Sequence, residues 1–306
     1  MPKDTQQAKT KFGGPLLLAV ISILVAMALS YPVGALLPVT TAKESPVVAP
    51  WMTVLTVIAF LVAFGGCTVA LVWWTRRLQV SKPENLRKAI WVGILSGLFS
   101  LVVSYLLEEQ THLLPGWFGG EQGGDVITGF IEEGTKLLIP LLLIRTVVFS
   151  NVLTGFWTVF TAGATFGAIE GAIAFITGIS DPNPPTPGYT GGWVQAINAL
   201  NITGELHHIL YTAPAGALIW YAACRMRAPQ AWGVGIGAFL IAGTIHAFND
   251  GVLAFYLDGN ANAIYLEFAL GVLLLLTWYF FPVRRLRPPV ITASSAAGDA
   301  VSYRLR

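Results

Sequence analysis

The sequence predicts an all-α protein, a polytopic bundle of about eight transmembrane helices with both termini in the cytoplasm. Of its 306 residues, 55% are hydrophobic and only 11% are charged, which leaves too few polar side chains for the surface of a soluble domain. Apolar runs of about 20 residues, the length that crosses the hydrocarbon core, recur along the chain. All of the 18 Lys and Arg except Lys43 and Lys136 lie at the termini or in alternate loops, which places those segments in the cytoplasm.

The apolar runs divide the chain into one transmembrane domain over residues 1–287 and a tail at 288–306 that is expected to be disordered and cytoplasmic. An A-x-A pattern at Ala26 and Ala28 resembles a signal cleavage site, but the apolar run continues to Leu37, so we expect the first helix to be retained. The expected spans cover residues 15–38, 51–74, 89–107, 126–144, 151–178, 205–223, 231–257 and 263–281.

Ionisable residues interrupt four of these spans. In "GFIEEGTKLLIPLLLI", at 129–144, Glu132, Glu133 and Lys136 share one helical turn, although one charge at the centre of a membrane helix costs at least about 2.5 kcal/mol. Counting from the helix ends at about 1.5 Å per residue brings them to the same outer-half layer as the polar residues of three other spans. Those residues are Glu170, His207, His208, His246 and Asp250. A depth shared by four helices predicts one site.

Spacing within the helices indicates pairs. Glu132 and Lys136 are four residues apart, so they share a helix face and can form an ion pair. Glu133 is rotated from that pair by about 100°, and we expect it to remain available. His246 and Asp250 are also four residues apart, which predicts either a metal-binding pair or an imidazole whose tautomer is fixed by a carboxylate.

This set of side chains suits activation of water for attack on an amide. Glu132 or Glu133 would be the general base, and the imidazoles would be metal ligands or, with Asn249, oxyanion donors. The H-E-x-x-H and G-x-S-x-G signatures are absent. A proton-coupled transporter that uses the same residues as a relay and a catalytically silent membrane scaffold remain as alternatives.

Four motifs in this region resemble those of PrsW-type intramembrane proteases, which are related to the CAAX prenyl endopeptidases. "EEGTK" (132–136) is similar to their E-E-x-x-K motif, "FGAIE" (166–170) to F-x-x-x-E, "HHILYTAPAG" (207–216) to their histidine motif and "HAFND" (246–250) to H-x-x-x-D. The CAAX relatives carry E-E-x-x-x-R and F-x-x-x-H, so this chain is nearer to the PrsW branch. His208 fits the histidine motif better than His207, which we expect to face elsewhere.

The resemblance implies an endopeptidase of the bacterial cytoplasmic membrane, with a motif core at about 126–257, that cleaves membrane-associated proteins such as single-span anti-sigma factors. Its catalytic set would be Glu132, Glu133, Lys136, Glu170, His208, His246 and Asp250. A divalent metal such as Zn²⁺, held by His208, His246 and Glu170, is one alternative, and a metal-free glutamic mechanism is the other. The expected partners are a membrane-protein substrate and the lipid bilayer, with no nucleic acid.

Overall fold

A computed structural model describes residues 13–36, 50–78, 86–144, 152–180 and 206–250. Within these ranges the chain is all-helical and has no strand, as the sequence predicts. Two short 3-10 helices, Thr111–Leu113 and Gly116–Gly119, connect α3 to α4. The long helices are α1 (Gly13–Leu36), α2 (Pro50–Leu78), α3 (Leu86–Glu108), α4 (Glu121–Leu143), α5 (Val152–Ser180), α6 (Leu206–Arg225) and α7 (Ala228–Phe248).

Each of the first seven expected spans coincides with a helix. α4 begins five residues earlier than expected, at Glu121 rather than at 126. Residues 251–257 of the seventh expected span lie outside the described residues. A π-type turn at 249–250 follows α7. The expected span at 263–281 and the tail lie outside the described residues.

The motif helices form part of a closed ring. α3 packs against α4 and α5, α5 packs against α6, α6 against α7, and α7 against α4. α4 also contacts α5 and α6 across the ring, whereas α1 and α2 pack against each other. The four helices that carry ionisable residues therefore surround one centre.

α3 has small and polar side chains inside and large apolar side chains outside. Its buried residues are Ala89, Gly93, Ser96, Gly97, Ser100 and Ser104. Trp91, Leu95, Val102 and Leu106 are each more than half exposed. This pattern is the reverse of a soluble amphipathic helix and is typical of a helix that packs on protein with its small face and on lipid with its large one. Among the described residues, Leu86–Leu113 and Ala228–Phe248 are long and apolar enough to cross a membrane.

Glycines at three helix crossings let the backbones touch. A Cβ on Gly97 would lie 2.7 Å from the carbonyl oxygen of Ala162, and one on Gly163 would lie 2.8 Å from the carbonyl oxygen of His208. On α4, a Cβ on Gly129 would meet the backbone of Ala247. Backbone atoms cannot turn aside as a flexible side chain can, so these contacts fix the distances between α3, α5 and α6 and between α4 and α7.

Replacing Gly129 by Ala should lower the free energy of unfolding by about 1–3 kcal/mol, the usual cost of overpacking. The matched control is Gly237→Ala on α7, where an added Cβ would have no neighbour within 4 Å and where Ala favours the helix. Denaturant unfolding in detergent measures both variants. Equal stability of the two would contradict the close contact of α4 with α7.

Candidate functional site

Lys136 of α4 lies at the centre of the charged cluster. Its side chain is fully buried, and its Nζ is 3.0 Å from Glu132 Oε2, 3.1 Å from Glu133 Oε1 and 2.7 Å from His208 Nδ1. The same nitrogen is 4.0 Å from the centroid of the Phe166 ring. An ammonium group donates three protons, so each proton has an acceptor, and the aromatic face adds a cation–π contact. Residues of α4, α5 and α6 together compensate the buried charge.

Glu133 is not available in the way that the sequence predicts. Besides its contact with Lys136, Oε1 is 3.1 Å from His246 Nδ1, and Oε2 accepts a hydrogen bond of 2.8 Å from Thr212 Oγ1. Its side chain is completely buried. The prediction was wrong because residues three apart on a helix are also neighbours, and because α6 and α7 supply the remaining donors. Glu133 ties α4 to both of these helices.

His208 has a defined tautomer. The Lys136 ammonium can only donate a hydrogen bond, so Nδ1 of His208 must accept it, and the ring proton is assigned to Nε2. Nε2 contacts Oε2 of Glu170. Glu170 has no charged neighbour at helical spacing on α5, and the structure supplies its partner from α6.

His246 lies between two carboxylates. Its Nε2 is 3.1 Å from Asp250 Oδ2, as the four-residue spacing predicts, and its Nδ1 faces Glu133. Asn249 Nδ2 donates to Asp250 Oδ1 over 3.2 Å, so this amide, expected to stabilise an oxyanion, holds Asp250. The carboxylate at Nδ1 is the kind of partner that orients an imidazole whose other nitrogen binds a metal ion.

Glu132 lies where the two histidines meet. Its Oε2 is 3.6 Å from His208 Nδ1 and 3.6 Å from His246 Nε2, in addition to its ion pair with Lys136. The residue is 4% exposed, whereas Glu133 is 0% exposed. Of the two adjacent glutamates, Glu132 is therefore the one that keeps some exposed surface.

The cluster opens in one direction. Lys136 is fully buried, but the side chains of Asp250 and Glu170 are 25% and 31% exposed. Among the described residues, the cluster is therefore most exposed where α5 carries Glu170 and where α7 ends.

The structure places His207 inside the site, which corrects the expectation that it faces elsewhere. Its ring is buried, with its centroid 4.0 Å from that of His208, 4.9 Å from that of His246 and 5.1 Å from that of Tyr211, on which it stacks. Adjacent residues on a helix differ in direction by only about 100°, so both histidines can flank one position. In the sequence, the only sign that His207 belongs to the site is that it lies next to His208.

Hydroxyl groups that the sequence analysis did not single out hold α4 against α3. Ser96 Oγ donates to the carbonyl oxygen of Lys136 over 3.0 Å, and Ser100 Oγ and Thr135 Oγ1 are 2.6 Å apart. Thr135 Oγ1 is also 3.0 Å from the carbonyl oxygen of Glu132. These bonds fix the helical turn that carries the E-E-x-x-K motif. In the sequence, the serines that recur every four residues on α3, Ser96, Ser100 and Ser104, indicate a polar face that could form such bonds.

Two overlapping groups of side chains could hold a metal ion, each with ligand atoms within 4.8 Å of one another. They are His207, His208 and His246, and Glu132, Glu170 and His208. Imidazole nitrogens and carboxylate oxygens are the ligands of zinc, so the donor set fits a divalent metal. Ligation through Nε2 of His208 requires its proton to move to Nδ1, which releases the contact with Lys136. Of the three ligands expected from the sequence, His208 belongs to both groups, His246 only to the first and Glu170 only to the second.

Comparison with protein families decides which class of protein carries this site. The model of one family, described as PrsW family intramembrane metalloprotease, matches residues 81–282, more than half of the chain. The chain belongs to the PrsW family. The PrsW match begins before α3 and includes all four motif helices, while α1 and α2 precede it. Comparison with curated proteins and with solved structures gives no match.

PrsW membership makes the chain a membrane-embedded protease whose substrates are membrane proteins. The description of the family as a metalloprotease agrees with the buried groups of His and Glu. The transporter and scaffold interpretations are not favoured by these findings.

Lys136→Met should be strongly destabilising, by about 3–5 kcal/mol, because it leaves two buried carboxylates without their cation. Adding Glu133→Gln to this variant should recover part of the loss. The control is Lys88→Met, since Lys88 is exposed on α3. Unfolding in detergent compares the variants, and a Lys136→Met protein as stable as the control would contradict the central role of the ammonium.

Proposed function

We propose that this PrsW protein hydrolyses peptide bonds of membrane-anchored proteins at or near their membrane-spanning segments, with Glu132 as the general base. The position of Glu132 carries the proposal. It lies within 3.6 Å of a nitrogen of His208 and of His246, and it keeps a small exposed fraction. Both carboxylate oxygens of Glu133 already have partners, Lys136 and His246 at Oε1 and Thr212 at Oε2, which suits a positioning role.

In this mechanism Glu132 takes a proton from water as the water oxygen attacks the carbonyl carbon of the substrate. The same carboxyl group then gives the proton to the departing amine, so the reaction returns it to its initial state. Lys136 holds the Glu132 side chain in place, and Glu133 orients the ring of His246. Asp250 faces the other nitrogen of that ring.

His208 and His246 are the proposed metal ligands. A bound divalent metal would polarise the substrate carbonyl and ease deprotonation of water. Glu170, the third ligand expected from the sequence, contacts Nε2 of His208, but among the described residues it does not belong to the group that joins the two histidines. Its exposed position suits contact with water or substrate at the open side.

The finer features of the proposal are topological. We infer a single transmembrane domain at residues 1–287 with eight spans, both termini and the tail at 288–306 in the cytoplasm, and a site in the outer half of a bacterial cytoplasmic membrane. The distribution of Lys and Arg supports this orientation. A single-span protein such as an anti-sigma factor is the proposed substrate, because one unpacked helix can reach a site enclosed by a helix ring.

Glu132→Gln should abolish cleavage while the protein stays folded, because the amide has nearly the same size but cannot accept the proton. The loss should be at least the ~10²–10⁴-fold that general base catalysis contributes. Purified protein in nanodiscs is incubated with a panel of single-span substrates, and the products are identified by mass spectrometry. Glu109→Gln, on the exposed connector after α3, is the control.

A chelator should also stop cleavage in the wild type, and zinc should restore it. Full cleavage by Glu132→Gln would show that the base is wrongly assigned. If the wild type cleaves nothing, and instead moves protons into liposomes in a manner that depends on Glu132, the protein is a transporter.

The orientation is tested with thiol labelling in intact cells. In a Cys67→Ala background, Leu113→Cys on the exposed α3–α4 connector should react with a membrane-impermeant reagent. Cys224, exposed near the end of α6, should react only after the cells are permeabilised. The reverse pattern would place the site in the cytoplasmic half and invert the proposed topology.

A further inference from the structure

His207 contributes a third imidazole to the centre of the helix ring, although the motif resemblance and the proposed mechanism use only His208 and His246. All three residues are buried, at 9%, 1% and 1% exposed. They come from the beginning of α6 and the end of α7. The ring centroid of His207 is 4.0 Å from that of His208 and 4.9 Å from that of His246, and those of His208 and His246 are 5.1 Å apart. Three imidazoles in one buried cluster call for a chemical reason, because burial removes the hydration of each ring.

We propose that His207 is a ligand of the divalent metal and completes a three-imidazole site with His208 and His246. The inference rests on the proposed function, since it concerns the metal of the same protease site. It adds a ligand that neither the family match nor the sequence motif assigns.

The spacing of the ligand atoms supports a shared ion. One ring nitrogen from each of the three histidines lies within 4.8 Å of the other two. Ligand nitrogens about 2.0–2.1 Å from a tetrahedral zinc ion are roughly 3.3 Å apart. Closing each gap by no more than about 1.5 Å therefore brings the three nitrogens to the spacing of zinc ligands.

His207 suits the third position better than Glu170 does. Among the described residues, Glu170 forms a group with His208 and Glu132, and the group that contains both His208 and His246 is completed by His207. An ion bound by the two proposed histidine ligands therefore has His207 as the third donor within reach.

Neighbouring side chains orient two of the rings. Tyr211 stacks on His207 with an interplanar angle of 29°. Glu133 Oε1 faces Nδ1 of His246 at 3.1 Å, the carboxylate–histidine arrangement that directs the other nitrogen to a metal. Both contacts reduce the rotational freedom that ligation would otherwise have to remove, and an ion on Nε2 of His246 would replace or share its contact with Asp250.

Three neutral ligands have a consequence for the carboxylates. An ion held only by imidazoles keeps its full charge of +2, whereas each carboxylate ligand would neutralise part of it. Glu132 and Glu170 then remain available for proton transfer. In catalytic zinc sites with three histidine ligands, the fourth coordination position likewise stays open for water or substrate.

The test measures metal binding directly. Wild type, His207→Phe, His208→Ala and His246→Ala are purified in detergent, loaded with Zn²⁺ or Co²⁺, and titrated with a competing chelator. Phe keeps the aromatic ring beside Tyr211 but offers no ligand. His112→Phe, on the exposed connector, is the matched control. Thermal unfolding of each variant shows that it is folded.

The expected result is that His207→Phe lowers the affinity for zinc by more than the ~10–100-fold that loss of an outer-shell partner causes, and changes the visible spectrum of bound cobalt. A second variant reports coordination itself. His207→Cys should bind cobalt with a thiolate-to-metal charge-transfer band that the wild type, which carries the same Cys67 and Cys224, lacks. This variant stays informative if the Phe variant does not fold.

Unchanged zinc affinity and an unchanged cobalt spectrum in His207→Phe, with no thiolate band in His207→Cys, would overturn the proposal. If His208→Ala and His246→Ala still lose the metal, His207 alone is wrongly assigned and the proposed protease site stands. A wild-type protein that binds neither zinc nor cobalt would overturn the inference and the proposed metal mechanism together.

Discussion

The buried ammonium of Lys136 is the interaction on which the rest of the polar interior depends. A lysine inside a helix ring is tolerable only if each of its protons meets an acceptor, and those acceptors come from α4 and α6, with an aromatic face from α5. The requirement has two effects at once. It places Glu132 and Glu133 as a fixed pair, and it assigns the proton of His208 to the nitrogen that faces Glu170.

Close approach of the helices makes this arrangement possible. Charge–charge contacts of about 3 Å between side chains of different helices need backbones that are nearer than large residues allow. Gly163 touches the backbone of His208, and Gly129 touches that of Ala247, next to His246. The positions that bring the proposed catalytic residues together thus carry no functional group of their own.

Much of this could be predicted from the sequence. Long apolar runs identify helices, and spacings of three and four residues identify pairs, so the ring helices and the contact of His246 with Asp250 followed from pattern alone. The surroundings of Glu133 and the direction of His207 did not, because they depend on donors and rings from α6 and α7. A helical wheel gives the direction of a side chain relative to its own helix, and only packing shows which neighbour lies there. The apolar runs predicted eight spans. Among the described residues, two helices are long and apolar enough to cross a membrane.

The two faces of α3 have different surroundings, and they should therefore tolerate different substitutions. Its outer face contacts a fluid of hydrocarbon tails, which accommodates any apolar side chain, so Trp91, Leu95 and Val102 can be exchanged for other large residues at little cost. Its inner face packs closely against other helices, so the buried Gly and Ser there can be replaced by few other residues. Substitutions should therefore accumulate on one side of the helix only.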